Sequence, residues 1–216
     1  MILNQFDHAF LINRDQDRER LTVALSRLRA VGIEAERVPA VVPAEQGPYE
    51  TPGARGCIES HLLVTRLAQE RGYASALVFE DDIVFRGNFL EQWALIESQV
   101  AQVSYDLFYF YDWFARAWKP WDLRVKSIDN TVCTHAYAIH SRFYDAAQRV
   151  YAENERVGLA ADRIFNSSNA RIYAPSYNLI GQESGHSTVD GSTKQLRWSA
   201  YTDRLLPWPL RLYQWF

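Results

Sequence analysis

Short apolar segments alternate with helix-patterned segments along this chain, and that alternation is what most restricts its fold. HAFLI at residues 8–12 reads as a buried strand, and leucines at helical spacing between Arg18 and Gly32 predict a helix after it. IEAERVPA, residues 33–40, is a second strand candidate that Pro39 ends. A strand, a helix and a strand in this order favour a parallel sheet with a right-handed crossover.

The alternation continues through the rest of the chain. Residues 41–56 carry three prolines and three glycines and are predicted to form a loop. Helices are predicted at 57–71, 88–103, 141–155 and 160–170, and strands at 76–79, 104–111, 132–140 and 171–175. We therefore expect an α/β fold whose ligands bind beyond the carboxyl ends of the strands.

Three consecutive acids, Glu80, Asp81 and Asp82, follow the apolar residues 76–79 in ALVFEDDIVF. Burying one carboxylate without a partner costs several kcal/mol, and adjacent carboxylates repel each other. Side chains two residues apart on an extended segment share a side, so Glu80 and Asp82 are expected to converge while Asp81 turns away. Such paired oxygen donors suit Mg²⁺ or Mn²⁺ with substrate phosphates. The alternative is a solvated turn in which Asp81 caps the next element.

Composition excludes several classes of function. The net charge of −3 gives no electrostatic basis for nucleic-acid binding. The two cysteines, Cys57 and Cys133, form neither a disulfide framework nor a CxxC site, which favours a reducing compartment. MILNQFDHAF lacks the pattern of a signal peptide, and no apolar run is long enough to span a membrane. We expect a soluble, cytoplasmic protein.

Four sequence blocks resemble glycosyltransferase family 25, the lipooligosaccharide-type galactosyltransferases with collagen-modifying relatives. They are AFLINRDQDRERL, GIEAERVPAV, GCIESHLLVTRLA and ALVFEDDIVF, in the order in which the family has them. YDLFYF, THAYAIHSRFYDAA and LAADRIF continue the resemblance more weakly. The resemblance implies a GT-A-like, Rossmann-like nucleotide-sugar transferase domain at residues 1–191. Residues 1–103 would bind the nucleotide sugar, residues 104–191 the acceptor, and residues 192–216 would form a separate tail.

The activity implied by the resemblance is inverting, metal-dependent sugar transfer, with UDP-galactose as donor and Mn²⁺, or else Mg²⁺, as cofactor. The acceptor would be a glycan or a lipid-linked glycan such as lipooligosaccharide. The resemblance places the nucleotide sugar against Asn13, Arg14, Arg18, Pro39, Ala40, Ser60, His61, Glu80 and Asp81. The metal ligands would be Asp82, Glu80 and His186. Whether Glu80 or Asp81 contacts the ribose stays open, and Ser60 and His61 could equally be structural.

Inverting transfer requires a general base for the acceptor hydroxyl, and three carboxylates are candidates: Asp162, Asp112 and Glu183. Asp162 is favoured because it matches an acidic residue of the family. Its alternative role is an ordinary negative charge in the first turn of a helix. Asp112 follows a strand and borders an aromatic loop, and Glu183 lies in a polar, glycine-rich segment.

Two aromatic segments remain. Trp113, Trp118 and Trp121 lie in one loop and could stack on the apolar faces of acceptor sugars. The tail from residue 192 mixes basic and aromatic residues, which is typical of a segment that rests on the inner face of a membrane. Packing on the domain is the alternative. Two other functions compete with transfer: a carbohydrate- or partner-binding module without activity, and a metal-dependent phosphohydrolase or nucleotidyltransferase, for which no Walker-type loop or second carboxylate cluster is present.

Overall fold

A computed structural model describes residues 5–112, 118–120, 124–183, 185–186 and 193–194, and at 118–120, 185–186 and 193–194 it describes the backbone alone. The strands are β1 His8–Asn13, β2 Glu36–Pro39, β3 Ser75–Glu80, β4 Ile83–Phe85, β5 Leu107–Tyr109, β6 Trp118–Pro120, β7 Val125–Ile128, β8 Ala136–His140, β9 Ile172–Pro175, β10 Ile180–Gln182, β11 Gly185–His186 and β12 Thr193–Lys194. The α-helices are α1 Arg18–Ala30, α2 Pro52–Glu70, α3 Phe89–Gln102, α4 Tyr144–Asn154 and α5 Ala161–Asn166.

Eight of these strands form one central sheet in the order β2-β1-β3-β8-β5-β9-β7-β6. β1 pairs in parallel with both β2 and β3, as the opening strand–helix–strand pattern predicts. β8 runs antiparallel between β3 and β5, and β7 runs antiparallel between β9 and β6. β1, β2, β3, β5, β6 and β9 therefore point one way, and the expectation of a mostly parallel α/β sheet is confirmed.

The sheet is covered on both faces because the side chains of each strand alternate between them. In β1, Phe10 and Ile12 join an apolar cluster with residues of α2, α4 and α5. Ala9 and Leu11 join the opposite cluster, which contains residues of α1 and α3. None of the described helices is long and apolar enough to cross a membrane.

One predicted boundary is wrong in a way that affects the site. α2 begins at Pro52, not at Cys57, so the last part of the predicted loop is helical. The Thr51 side chain accepts a hydrogen bond from the amide of Ala54 at 2.9 Å, and Pro52 occupies the first turn, where its missing N–H costs nothing. The extra turn brings Gly56 against the chain that follows β2: a Cβ there would lie 2.4 Å from the carbonyl oxygen of Val41.

Candidate active site at the carboxyl edge of the sheet

The three acids lie where β3 ends. Glu80 is the last residue of the strand, and Asp81 and Asp82 form the turn that leads into β4. The carbonyl of Asp82 accepts a hydrogen bond of 2.7 Å from the amide of Glu183, directly after β10. Since β1, β2 and β3 are parallel, the ends of all three strands meet at this carboxyl edge.

Glu80 is held by two side chains from different parts of the chain. Its Oε1 lies 3.2 Å from His61 Nε2 and accepts a hydrogen bond of 2.8 Å from the hydroxyl of Thr134. Burial alone would raise the pKa of Glu80, but the hydrogen bond and charge of His61, with Thr134, lower it to about 2. Glu80 is therefore ionised at neutral pH. His61 Nδ1 lies 3.0 Å from the Tyr137 hydroxyl, which fixes the ring from its other side.

Asp81 is buried, contrary to the expectation that it turns away from the site. Its Oδ2 accepts a hydrogen bond of 2.7 Å from Asn13 Nδ2, and its Oδ1 pairs with the guanidinium of Arg20. Burial raises the pKa of Asp81, although Asn13 and Arg20 oppose that shift. The turn is tight, so successive carboxylates do not simply alternate as they would on a straight strand.

Asp82 is the least satisfied of the three acids. Its Oδ1 is buried, and no hydrogen-bond partner for it lies among the described residues. Its Oδ2 lies 3.4 Å from Gln182 Nε2 and 3.5 Å from Arg20. Burial, together with the charge of Glu80, raises the pKa of Asp82 to about 7. A divalent cation would supply the missing partner, and carboxylate oxygens are the ligands that Mn²⁺ and Mg²⁺ prefer, so the site fits such an ion.

The ends of β1 and β2 form the wall beside the acids. Asn13 is 2% exposed, and its carbonyl accepts hydrogen bonds from the amide of Ala40 at 3.0 Å and from Arg37 Nη2 at 3.2 Å. Ser60 is also buried: its hydroxyl donates to the carbonyl of Gly56 at 2.6 Å and accepts from the amide of Val41 at 2.8 Å. Ser60 therefore joins α2 to the segment after Pro39, and its hydroxyl proton is already donated.

The arginines nearest the acids differ from those that the sequence suggested. Arg14 pairs with Asp17 at 2.6 Å, and Arg18 is exposed at the start of α1. Arg20, which the sequence analysis did not select, contacts both Asp81 and Asp82. Residues 20, 24 and 28 recur at helical spacing, and Ala24 and Leu28 are buried, so this periodicity places Arg20 on the inward face of α1.

Of the three candidates for the general base, two form ion pairs with basic side chains. Lys126 lies 2.6 Å from Asp112, whose pKa burial raises and Lys126 partly restores. Glu183 is exposed and lies 3.0 Å from Arg27, which lowers the pKa of that carboxyl.

Asp162, the favoured candidate, accepts hydrogen bonds from the amides of Arg163 at 2.7 Å and Cys133 at 3.3 Å. It forms no ion pair within the described part of the chain. Burial raises the pKa of the Cys57 thiol, and the charges of Glu80, Asp162 and Asp82 raise it further. Cys133, next to Thr134, has a φ of 80°, an unusual conformation for a residue with a side chain.

Several predicted site residues cannot be placed by their side chains. Trp113 and Trp121 lie outside the described residues, as does the tail from 192 onward except for the backbone of β12. Trp118 in β6 and His186 in β11 are described by backbone position alone. His186 follows Glu183 by three positions in the sequence, and the amide of Glu183 donates to the carbonyl of Asp82 in the acidic turn.

Comparison with known proteins shows which family and which proteins this chain resembles. The model of a family described as Glycosyltransferase family 25 (LPS biosynthesis protein) matches residues 6–161. A mouse protein named "Inactive glycosyltransferase 25 family member 3" is 33% identical over 129 residues, which are 48% of this chain and 22% of that protein. A Drosophila melanogaster protein named "Glycosyltransferase 25 family member" is 29% identical over 126 residues, 48% of this chain and 21% of that protein. The chain thus spans about a fifth of the length of these curated relatives.

Among solved structures, a glycosyltransferase involved in the glycosylation of the major capsid of PBCV-1 has a similar fold. It superposes with a TM-score of 0.51 and 9% sequence identity, covering 84% of this chain and 94% of that one. At this identity the similarity concerns the fold alone, and it agrees with the GT-A-like α/β architecture expected from the sequence.

Proposed function

Because the chain belongs to glycosyltransferase family 25, we propose that it transfers a sugar from a nucleoside diphosphate donor, UDP-galactose, to a glycan or lipid-linked glycan such as lipooligosaccharide. The observation that carries this proposal is the buried Oδ1 of Asp82, which has no partner among the described residues. A carboxylate left in that state costs free energy unless a ligand completes it. A cation bound to a sugar diphosphate would do so.

Different residues at the carboxyl edge would bind the cation, the diphosphate and the nucleoside of the donor. Asp82 and Glu80 would hold the divalent cation, Mn²⁺ or Mg²⁺, and His186 is a further candidate ligand. When bound, the cation supplies positive charge that stabilises the departing diphosphate. Arg20 adds a fixed positive charge beside it. Asn13, Pro39 and Ala40 would form the wall against which the nucleoside lies, with Ser60 and His61 supporting that wall.

The transfer itself is a single displacement with inversion. The acceptor oxygen forms a bond to the anomeric carbon while the bond from that carbon to the diphosphate oxygen breaks, and its electron pair leaves with the nucleotide. Asp162 would take the proton of the acceptor hydroxyl. We favour it over Asp112 and Glu183 because those carboxylates already lie against Lys126 and Arg27.

The name of the mouse relative supports a second candidate, a binding module that has lost activity. In such a module the acidic turn would have no reason to keep a buried carboxylate oxygen unsatisfied. The two candidates differ in turnover: both could bind UDP, but only an enzyme would release UDP from UDP-galactose in the presence of an acceptor.

The test is calorimetric titration of the full chain with UDP, with and without Mn²⁺, beside Asp82→Ala. We expect Mn²⁺-dependent binding that the substitution abolishes. Equal binding by the variant, or no UDP binding by the wild type under either condition, would contradict the proposed donor site. UDP binding without any turnover of UDP-sugars would favour the binding module.

A further inference from the structure

Cys57, His61 and Glu80 form a cluster that the proposed transfer does not fully use. A potential ligand atom from each of the three side chains lies within 4.8 Å of those from the other two. Cys57 and His61 are one turn apart on α2 and therefore share a face of the helix. Glu80 meets them from the end of β3. Cys57 is a free cysteine that packs, partly buried, against the core.

The distances are close to those of a small tetrahedral site. Zn²⁺ binds sulfur at about 2.3 Å and nitrogen or oxygen at about 2.0–2.2 Å, which separates tetrahedral ligand atoms by roughly 3.3–3.6 Å. His61 Nε2 and Glu80 Oε1 are already 3.2 Å apart. The Cys57 sulfur lies within 4.8 Å of both atoms, so it is the ligand that has further to move.

The chemical types of the three ligand groups indicate which metal ion the cluster would bind. A thiolate, an imidazole and one carboxylate suit Zn²⁺, whereas Mn²⁺ and Mg²⁺ favour sites made of oxygen atoms alone. Thiolate and carboxylate together also balance the two charges of the ion, which matters in a largely buried setting. An ion bound by Cys57, His61 and Glu80 is therefore expected to be Zn²⁺, whereas the ion beside Asp82 is expected to be Mn²⁺ or Mg²⁺.

Groups behind the cluster already hold two of the three side chains in place. The Tyr137 hydroxyl lies 3.0 Å from His61 Nδ1, which leaves Nε2 directed at Glu80. Thr134 donates a hydrogen bond to Glu80. Partners of this kind orient metal ligands in known sites, and losing one typically weakens metal binding 10- to 100-fold.

We infer that Cys57, His61 and Glu80 form a zinc site, with water as the fourth ligand, which shares Glu80 with the proposed cation site at Asp82. On binding, the Cys57 thiol releases its proton to solvent, and His61 Nε2 coordinates without a proton, the neutral ring keeping its proton on Nδ1 beside the Tyr137 hydroxyl oxygen. Glu80 then binds Zn²⁺ and is no longer available to the cation of the donor site. Zinc thus competes with the metal–nucleotide complex. This competition rests on the proposed function; the zinc site itself does not.

The test uses Co²⁺ as a spectroscopic probe of the reduced full chain, followed by displacement with Zn²⁺. We expect a thiolate-to-cobalt charge-transfer band that Zn²⁺ abolishes. Cys57→Ser should remove the band and weaken Zn²⁺ binding by on the order of 100-fold or more, beyond the loss of a supporting partner. Cys133→Ser, which alters the other cysteine of the chain, should keep the band. A wild type without the band, or a band that survives Cys57→Ser, would overturn the zinc site.

A second titration separates this inference from the proposed function. We expect bound Zn²⁺ to weaken Mn²⁺-dependent UDP binding at least tenfold in the wild type and to have no such effect in Cys57→Ser. UDP affinity that zinc leaves unchanged would overturn the competition. A normal cobalt band in a chain that never binds UDP would leave the zinc site standing while the proposed donor site falls.

Discussion

Two partly buried acids at opposite edges of the same sheet, with side chains 14% (Asp106) and 25% (Asp82) exposed, have opposite environments. Asp106 precedes β5 at the amino edge, where Arg171 donates to it from its backbone amide at 2.9 Å, from Nε at 3.1 Å and from Nη2 at 2.8 Å, and Arg142 lies 3.4 Å away. Burial would raise the pKa of Asp106, but Arg171 outweighs it and lowers the pKa. Asp82 at the carboxyl edge has an unsatisfied oxygen and a raised pKa.

This contrast separates a structural carboxylate from a functional one. Asp106 receives its donors from the chain itself, so it stabilises the fold and needs no ligand. Asp82 is also largely shielded from water, but the described residues leave its buried Oδ1 without a hydrogen-bond partner. A carboxylate that is destabilised in this way is expected where a ligand binds and supplies the missing partner. The carboxyl edge is therefore the candidate active site.

The largest effect is expected from Asp82→Asn. We expect Mn²⁺-dependent UDP binding and any sugar transfer to fall by about 100-fold or more, because one ligand of the cation is lost. The free energy of unfolding of the metal-free protein should stay the same or rise, since a buried charge is removed. Calorimetry and urea denaturation measure the two quantities. A variant that loses stability and keeps UDP binding would make Asp82 structural, like Asp106.

Arg20→Ala should weaken UDP binding by about tenfold, as expected when a hydrogen bond between charged groups worth about 1.5 kcal/mol is lost. Arg29→Ala is the matched control on the same helix, since Arg29 is exposed and lies 3.6 Å from Glu34, away from the acids. Titration with UDP compares the two variants. Equal losses in both would mean that α1 contributes only general positive charge.

Asp106→Asn should have the reverse effect of Asp82→Asn. We expect the free energy of unfolding to fall by about 1–2 kcal/mol, allowing for the partial exposure of the two arginines. For a chain of this size that lowers Tm by roughly 2–8 °C, which calorimetric melting can measure. UDP affinity should not change. A loss of UDP affinity at unchanged Tm would remove the distinction between the two edges.

The dependence of stability on pH differs in sign between the two acids. The folded pKa of Asp82 is raised, so its ionisation costs stability as pH rises from about 4 to 7, by at most about 1.4 kcal/mol per pH unit. The stability gained in Asp82→Asn relative to wild type should therefore grow over that range.

Asp106 has a lowered folded pKa, so its contribution is present above the usual Asp pKa and is lost as pH falls through the folded value. The cost of Asp106→Asn should accordingly be full at neutral pH and disappear in acid. Denaturation of both variants and the wild type across pH 2–8 tests the pair. Parallel curves for the two variants would contradict the difference in environment.

Part of the candidate site was predictable from local sequence. The position of Glu80, Asp81 and Asp82 at a strand end followed from the apolar residues before them, and the helical spacing of residues 20, 24 and 28 contained the signal for Arg20. Thr51 and Pro52 likewise mark the true start of α2. These are short-range patterns, which a sequence displays directly.

The amino-acid sequence by itself determined the order of the helices and of six of the eight strands of the central sheet, the parallel opening of the sheet and the acids at its edge, since periodicity and turn residues act over a few positions. Only the tertiary structure decided which of the three acids has hydrogen-bond partners for its carboxylate oxygens. Asn13 donates to Asp81 across 68 positions of the sequence, and Thr134 donates to Glu80 across 54. Thr134 lies just before β8, which pairs antiparallel with β3, a direction that no local pattern records. Hydrogen-bond partners are set by how distant segments pack, so the unsatisfied oxygen of Asp82 becomes visible only in the folded chain.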